Sequence, residues 1–160
     1  MTYFPDLTPC DYGPFSRLEP VLAVGWLDPP FDFPRGTVKR AVRDRLQELL
    51  SDPWSPILFL GVHNCGFCEH PAVSYSEDAD DQPCGAINVF IPGRQVVFLV
   101  PDLILHYIDE HQYCPPPAFT DAVAACPAME SKAYFLALMA AGGTMPAFVE
   151  QKSGRERPWR

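Results

Sequence analysis

Between residues 38 and 50 the apolar positions Val38, Ala41, Val42, Leu46, Leu49 and Leu50 recur at helical spacing, while Lys39, Arg40, Arg43 and Asp44 point elsewhere. This pattern predicts an amphipathic helix over residues 37–50, with Thr37 placed to cap it. Unbroken apolar runs give a different signal. Residues 21–27 and 57–62 are short, free of charge and bounded on one side by a proline-rich break, as buried strands are. Residues 72–75 are a weaker strand candidate, and 77–83 form an acidic loop. The runs 86–91 and 95–100 flank Pro92-Gly93-Arg94 and read as a hairpin.

Helical patterning then returns. Pro101 suits the first turn of a helix, with Asp102 near the positive end of its dipole, and this helix runs toward His111 until Pro115-Pro116-Pro117 stops it. Residues 118–126 and 128–141 predict two more helices, the last closed by Gly142-Gly143. Before the first strand lies an arm rich in aromatics and proline, held to the body by its rings. The expected architecture is a single α+β domain over residues 1–150, with a small mixed or antiparallel sheet and about four helices. Residues 151–160 read as a flexible polar tail.

Composition supports a packed core. The chain has 160 residues and 19 prolines, but its 11 Phe, 6 Tyr and 3 Trp are more core material than disordered chains carry. Trp26, Trp54, Phe59, Phe90 and Phe98 are therefore expected inside. The net charge of -8 is unevenly spread: residues 46–150 hold thirteen acids against two bases, while residues 35–45 hold five bases against one acid. Most of the chain would repel phosphates, which disfavours nucleic-acid binding. The start lacks the basic and apolar regions of a secretory signal, and no apolar run reaches membrane-spanning length. A cytoplasmic location is expected, where six cysteines are thiols or metal ligands more often than disulfides.

The sharpest chemical signal is a metal site. Cys65-x2-Cys68 puts two thiolates on a turn, where Gly66 can adopt backbone conformations closed to bulkier residues. His106-x4-His111 supplies two imidazoles, completing a Cys2His2 set that joins a knuckle to a helix. On a straight helix, however, five positions rotate a side chain by about 140°, so the helix must end or unwind near Glu110 for both histidines to bind. His63 is the alternative fourth ligand, and His70 and Cys84 are weaker candidates. Mixed thiolate and imidazole donors suit Zn2+ first. Cys10, Cys114 and Cys126 are expected to pack as small apolar groups, and Arg40 and Arg43 to lie on a solvated helix face.

Four segments carry a resemblance: Tyr3-Phe4-Pro5-Asp6-Leu7, Val24-Gly25-Trp26-Leu27-Asp28, His63-x-Cys65-x2-Cys68 and His106-Tyr107-x3-His111-x-Tyr113-x-Pro115-Pro116. Together they resemble a family of small bacterial proteins with no settled activity. The resemblance implies a shared fold and a shared metal, and no reaction.

Two functional expectations follow. With four protein ligands the metal is structural, and the chain acts as an interaction or regulatory module whose acidic body meets a basic protein partner, as toxin-immunity proteins do. With three ligands a metal-bound water would make the chain a hydrolase or lyase, with Glu69 or Glu110 as general base. No zinc-protease, deaminase, nucleophile-elbow or phosphate-loop motif supports the second.

Overall fold

The computed structural model describes residues 3–10, 21–55, 63–68, 85 and 87–142. The candidate strands at 57–62 and 72–75, the acidic loop, the polar tail, Glu69, His70 and Cys84 lie outside these residues. Within them the architecture is α+β, with four helices and a three-stranded mixed sheet.

The predicted hairpin forms as β2 (Asn88–Pro92) and β3 (Val97–Pro101), antiparallel, with Phe90 opposite Leu99. Every residue of both strands is buried, which explains why they read as continuous apolar runs without alternation. β1 (Val21–Ala23) joins the other edge of β3 in parallel, giving the order β1-β3-β2. It is shorter than its apolar run because Gly25, at φ +75°, turns the chain away. Trp26 then enters the core, where its indole N–H donates to the Leu99 carbonyl at 2.9 Å.

The N-terminal arm is held by more than its rings. Leu7 N–H donates to the Ala23 carbonyl, Ala23 N–H to Thr8 and Cys10 N–H to Val21, so the arm runs beside β1 in the manner of an edge strand. Ring contacts add to this, with Phe4 edge-on to Trp26 and Tyr3 stacked on Phe31.

The helices are α1 (Arg40–Ser51), α2 (Ile104–His111), α3 (Pro117–Ala125) and α4 (Lys132–Gly142). Helix α1 starts later than its periodicity suggests: Lys39 is the cap residue and no side chain caps it. Pro101 also departs from expectation. It closes β3, opposite Asn88, and α2 begins three residues later. Helix α4 packs on β2 and β3, α3 packs on β2 and α1, and α1 also meets α2. Arg43 is part of that last contact: Nη2 lies 2.6 Å and Nε 3.2 Å from the two Asp109 carboxylate oxygens, so it bridges helices where a solvated face was expected. Arg40, with its side chain 93% exposed, fits that expectation. Cys10 and Cys126 are buried as small apolar groups, and Cys114 is half-buried. Among the described residues no helix is long and apolar enough to cross a membrane.

Candidate metal centre

Residues 63–68 meet α2 and its end through Cys65, Cys68, His106 and His111. The knuckle is anchored at its start, where His63 N–H donates to the Gly85 carbonyl at 2.9 Å and Gly85 N–H donates to the Asp102 carboxylate at 2.8 Å. Gly85 sits at φ +104°, and a Cβ there would lie 1.9 Å from the His63 carbonyl oxygen. No other residue fits. Asp102, expected to complement the α2 dipole, instead links the base of that helix to the knuckle.

Inside the knuckle, Cys68 N–H reaches back to the Cys65 carbonyl at 3.4 Å and closes the turn. Gly66 is needed here for closeness and not for a left-handed backbone: a Cβ would fall 2.6 Å from Pro29 Cδ and 3.1 Å from an Asp28 carboxylate oxygen. The turn therefore packs directly on the Asp28-Pro29 segment. Phe67 projects onto the other wall, with its ring centroid 5.3 Å from Phe33 and 5.5 Å from His111.

At the end of α2, Gln112 takes a left-handed conformation and its N–H donates to the Tyr107 carbonyl, an i to i−5 bond. Tyr113 N–H converges on the same oxygen at 3.0 Å. The last turn is thus widened in the manner of a π-turn, whose smaller rotation per residue leaves side chains five positions apart nearer to one face than on a straight α-helix. This removes the geometric objection to the His-x4-His spacing: His106 and His111 are brought onto one face, with their Nε2 atoms 3.3 Å apart. Arg35 fixes the terminus by donating to the His111 carbonyl at 2.6 Å, a cation placed at the negative end of the helix. Residues 34–36 bracket that contact, with Cys114 N–H donating to Pro34 and Gly36 N–H to Gln112.

Four donor atoms result: the Cys65 and Cys68 sulfurs and the His106 and His111 Nε2 atoms, all within 4.8 Å of one another. Cys65 Sγ lies 3.2 Å from His111 Nε2, and Cys68 Sγ lies 3.4 Å from His106 Nε2 and 3.3 Å from His111 Nε2. A tetrahedral zinc ion with bonds of about 2.3 Å to sulfur and about 2.05 Å to nitrogen has edges of about 3.5 Å between sulfur and nitrogen and about 3.3 Å between nitrogens. These three separations, and the 3.3 Å between the two Nε2 atoms, match those edges to within a few tenths of an ångström. Cys65 and His106 are buried, and Cys68 and His111 are half-buried.

Burial keeps His106, His111 and Cys65 in their neutral forms. Burial lowers the pKa of His106, assisted by the neighbouring His111; burial, then the Arg35 charge, lowers that of His111. Both imidazoles are therefore favoured in the neutral form that ligates metals. Burial pushes the Cys65 thiol up to about 11, so a metal entering here must displace its proton.

Of the residues singled out from sequence, these four come together and His63 does not join them. Among the described residues theirs is the only such group. Glu110 is exposed on α2 and is not part of it. The sequence assigned no role to Phe67, Arg35 or the pair Asp6–Tyr113, although Asp6 and Tyr113 stand in segments that carry the family resemblance. The Tyr113 hydroxyl lies 2.9 and 2.8 Å from the two Asp6 carboxylate oxygens, and Gly25 N–H donates to the same carboxylate at 3.0 Å. Burial raises the Asp6 pKa against the lowering effect of these donors, and burial with the Asp6 charge drives Tyr113 upward.

The family model described as a domain of unknown function, DUF7919, matches residues 2–124. The chain belongs to the DUF7919 family. The match takes in all four cluster residues, Asp6, Gly25 and Tyr113, and it ends within α3, so that α4 lies beyond the DUF7919 domain. No curated protein and no solved structure matches the chain.

Proposed function

We propose that this DUF7919 protein carries one structural zinc ion on Cys65, Cys68, His106 and His111, and acts as a protein-interaction or regulatory module without catalysing a reaction. The observation that carries this reading is the four-donor cluster, whose edges suit a tetrahedral ion. Four protein ligands leave no position for substrate or a reactive water, which favours this reading over a zinc hydrolase or lyase. Two thiolates and two neutral imidazoles favour zinc over magnesium or calcium, which take oxygen donors. Thirteen acids against two bases over residues 46–150 suit a basic protein as partner, an immunity-type pairing being one form of it.

The test is elemental analysis of protein purified without added metal. Zinc at one equivalent per chain is expected in the wild type and its loss in a Cys65→Ser, Cys68→Ser double variant. Equal, substoichiometric metal in both would overturn the site.

A further inference from the structure

The two thiolates of the cluster differ in access while sharing one turn. Cys65 is 3% exposed, whereas Cys68 is half-buried and so the more accessible of the two. The Cys68 N–H to Cys65 carbonyl bond at 3.4 Å closes a turn of the kind whose end Cα atoms lie within about 7 Å. Disulfides bridge Cα atoms about 4.4–6.8 Å apart, so this turn can close one by rotating side chains. The sulfurs already lie within 4.8 Å of each other.

We infer that Cys65 and Cys68 form a peroxide-sensitive dithiol switch, in which oxidation to a Cys65–Cys68 disulfide releases the metal. This rests on the zinc reading above and adds regulation to the same site. Metal-bound thiolates carry no proton and remain nucleophilic. The Cys68 sulfur attacks one oxygen of hydrogen peroxide, the O–O bond breaks, and the departing hydroxide takes a proton to become water. Cys68 is then a sulfenic acid. The Cys65 thiolate attacks that sulfur, the S–S bond forms, and a second hydroxide leaves and is protonated to water. Two thiolates, one peroxide and two protons give one disulfide and two waters. Both electrons come from sulfur, and the zinc keeps its charge. His106 and His111 remain as the last two donors, half of the shell a structural zinc needs.

The release unties the knuckle from the end of α2. His111 loses its link to Cys65 and Cys68, while Arg35 and the segment at 34–36 still hold the helix terminus. Oxidation is thus expected to loosen one wall of the site and leave the sheet and the other helices folded.

The experiment treats zinc-loaded full-length protein with hydrogen peroxide, follows zinc release with a chromogenic chelator, and maps disulfides by mass spectrometry. The expected result is zinc release matched one-to-one by a Cys65–Cys68 disulfide, reversed by a dithiol reductant with added zinc. A Cys114→Ser variant, lacking the other half-buried thiol among the described residues, is expected to release zinc at the wild-type rate. Three outcomes overturn the inference: zinc retained while Cys114 oxidises, zinc lost with Cys65 or Cys68 carried to sulfinic acid without a disulfide, or release abolished by Cys114→Ser. Absence of zinc before peroxide is added would instead bring down the metal reading, and this switch with it.

Discussion

At the residue scale, the contact between Asp6 and Tyr113 shows how remote segments support the site. Tyr113 follows His111 by two residues, and its hydroxyl holds the carboxylate that also receives the Gly25 N–H. The N-terminal arm, the turn after β1 and the segment leaving α2 therefore share one carboxyl group. Burial makes the folded protein hold the Asp6 proton more firmly than the unfolded chain does. Protonation then favours the folded state: the stability traceable to Asp6 is lowest above its raised folded pKa and rises as pH falls through it toward the ordinary 3.8. An Asp6→Asn variant keeps an acceptor but cannot titrate. At neutral pH it is expected to lie within about 1 kcal/mol of the wild type, with the wild type gaining on it as pH falls from 7 toward 4, measured by paired denaturant titrations. A gap that stays constant with pH would show that this carboxyl carries no folding-linked proton. The four clustered ligands were legible in the chain because metal chemistry uses few residue types at short spacings. Asp6 stands in a segment that carries the family resemblance, but its role was not legible, since its partner stands more than a hundred residues away.

At the scale of elements, periodicity located all four helices and the hairpin but misplaced their ends. Pro101 illustrates the reason. Locally it favours a helical first turn, yet its pairing opposite Asn88 and the Asp102 N–H bond to Ile87 extend the ladder and delay α2. Tertiary pairing outweighed a local preference. The C-terminus of α2 was harder still, because the widened turn depends on Gln112 at φ 57°, a conformation no sequence pattern marked. This residue now offers a test. Glycine adopts a left-handed backbone without steric cost, so Gln112→Gly is expected to stabilise the protein by up to about 1 kcal/mol while retaining metal. Valine resists that backbone. Gln112→Val is expected to lower both the melting temperature and the zinc content, since it works against the turn that aligns His106 and His111. Equal zinc affinity in the two variants would mean that the widened turn does not position the ligands.

For the whole molecule the question is what a metal on the cluster would contribute, and stability answers it. The cluster ties residues 65–68 to the end of α2, and α2 is itself tied to α1 through Arg43 and Asp109. The buried core around Trp26, Leu99 and Tyr107 is built from many side chains besides Cys65, so the apo chain is expected to stay folded at room temperature. A ligand present at about a thousand times its Kd adds roughly 4 kcal/mol to stability. For a chain of this size each kcal/mol moves the melting temperature by about 2–4 °C, so chelation is expected to lower it by roughly 8–16 °C. Glu110→Gln and Glu69→Gln are expected to match the wild type in stability and in any biological assay, because a closed site moves no protons. A catalytic zinc predicts the opposite pairing: little change in melting on chelation, and activity abolished by one of the two glutamate changes. Thermal melts with and without chelator, run beside both variants, separate the two cases. An apo protein with an unchanged melting temperature would defeat the structural reading, because a tetrahedral centre binding two parts of one fold has to add to the stability of what it joins.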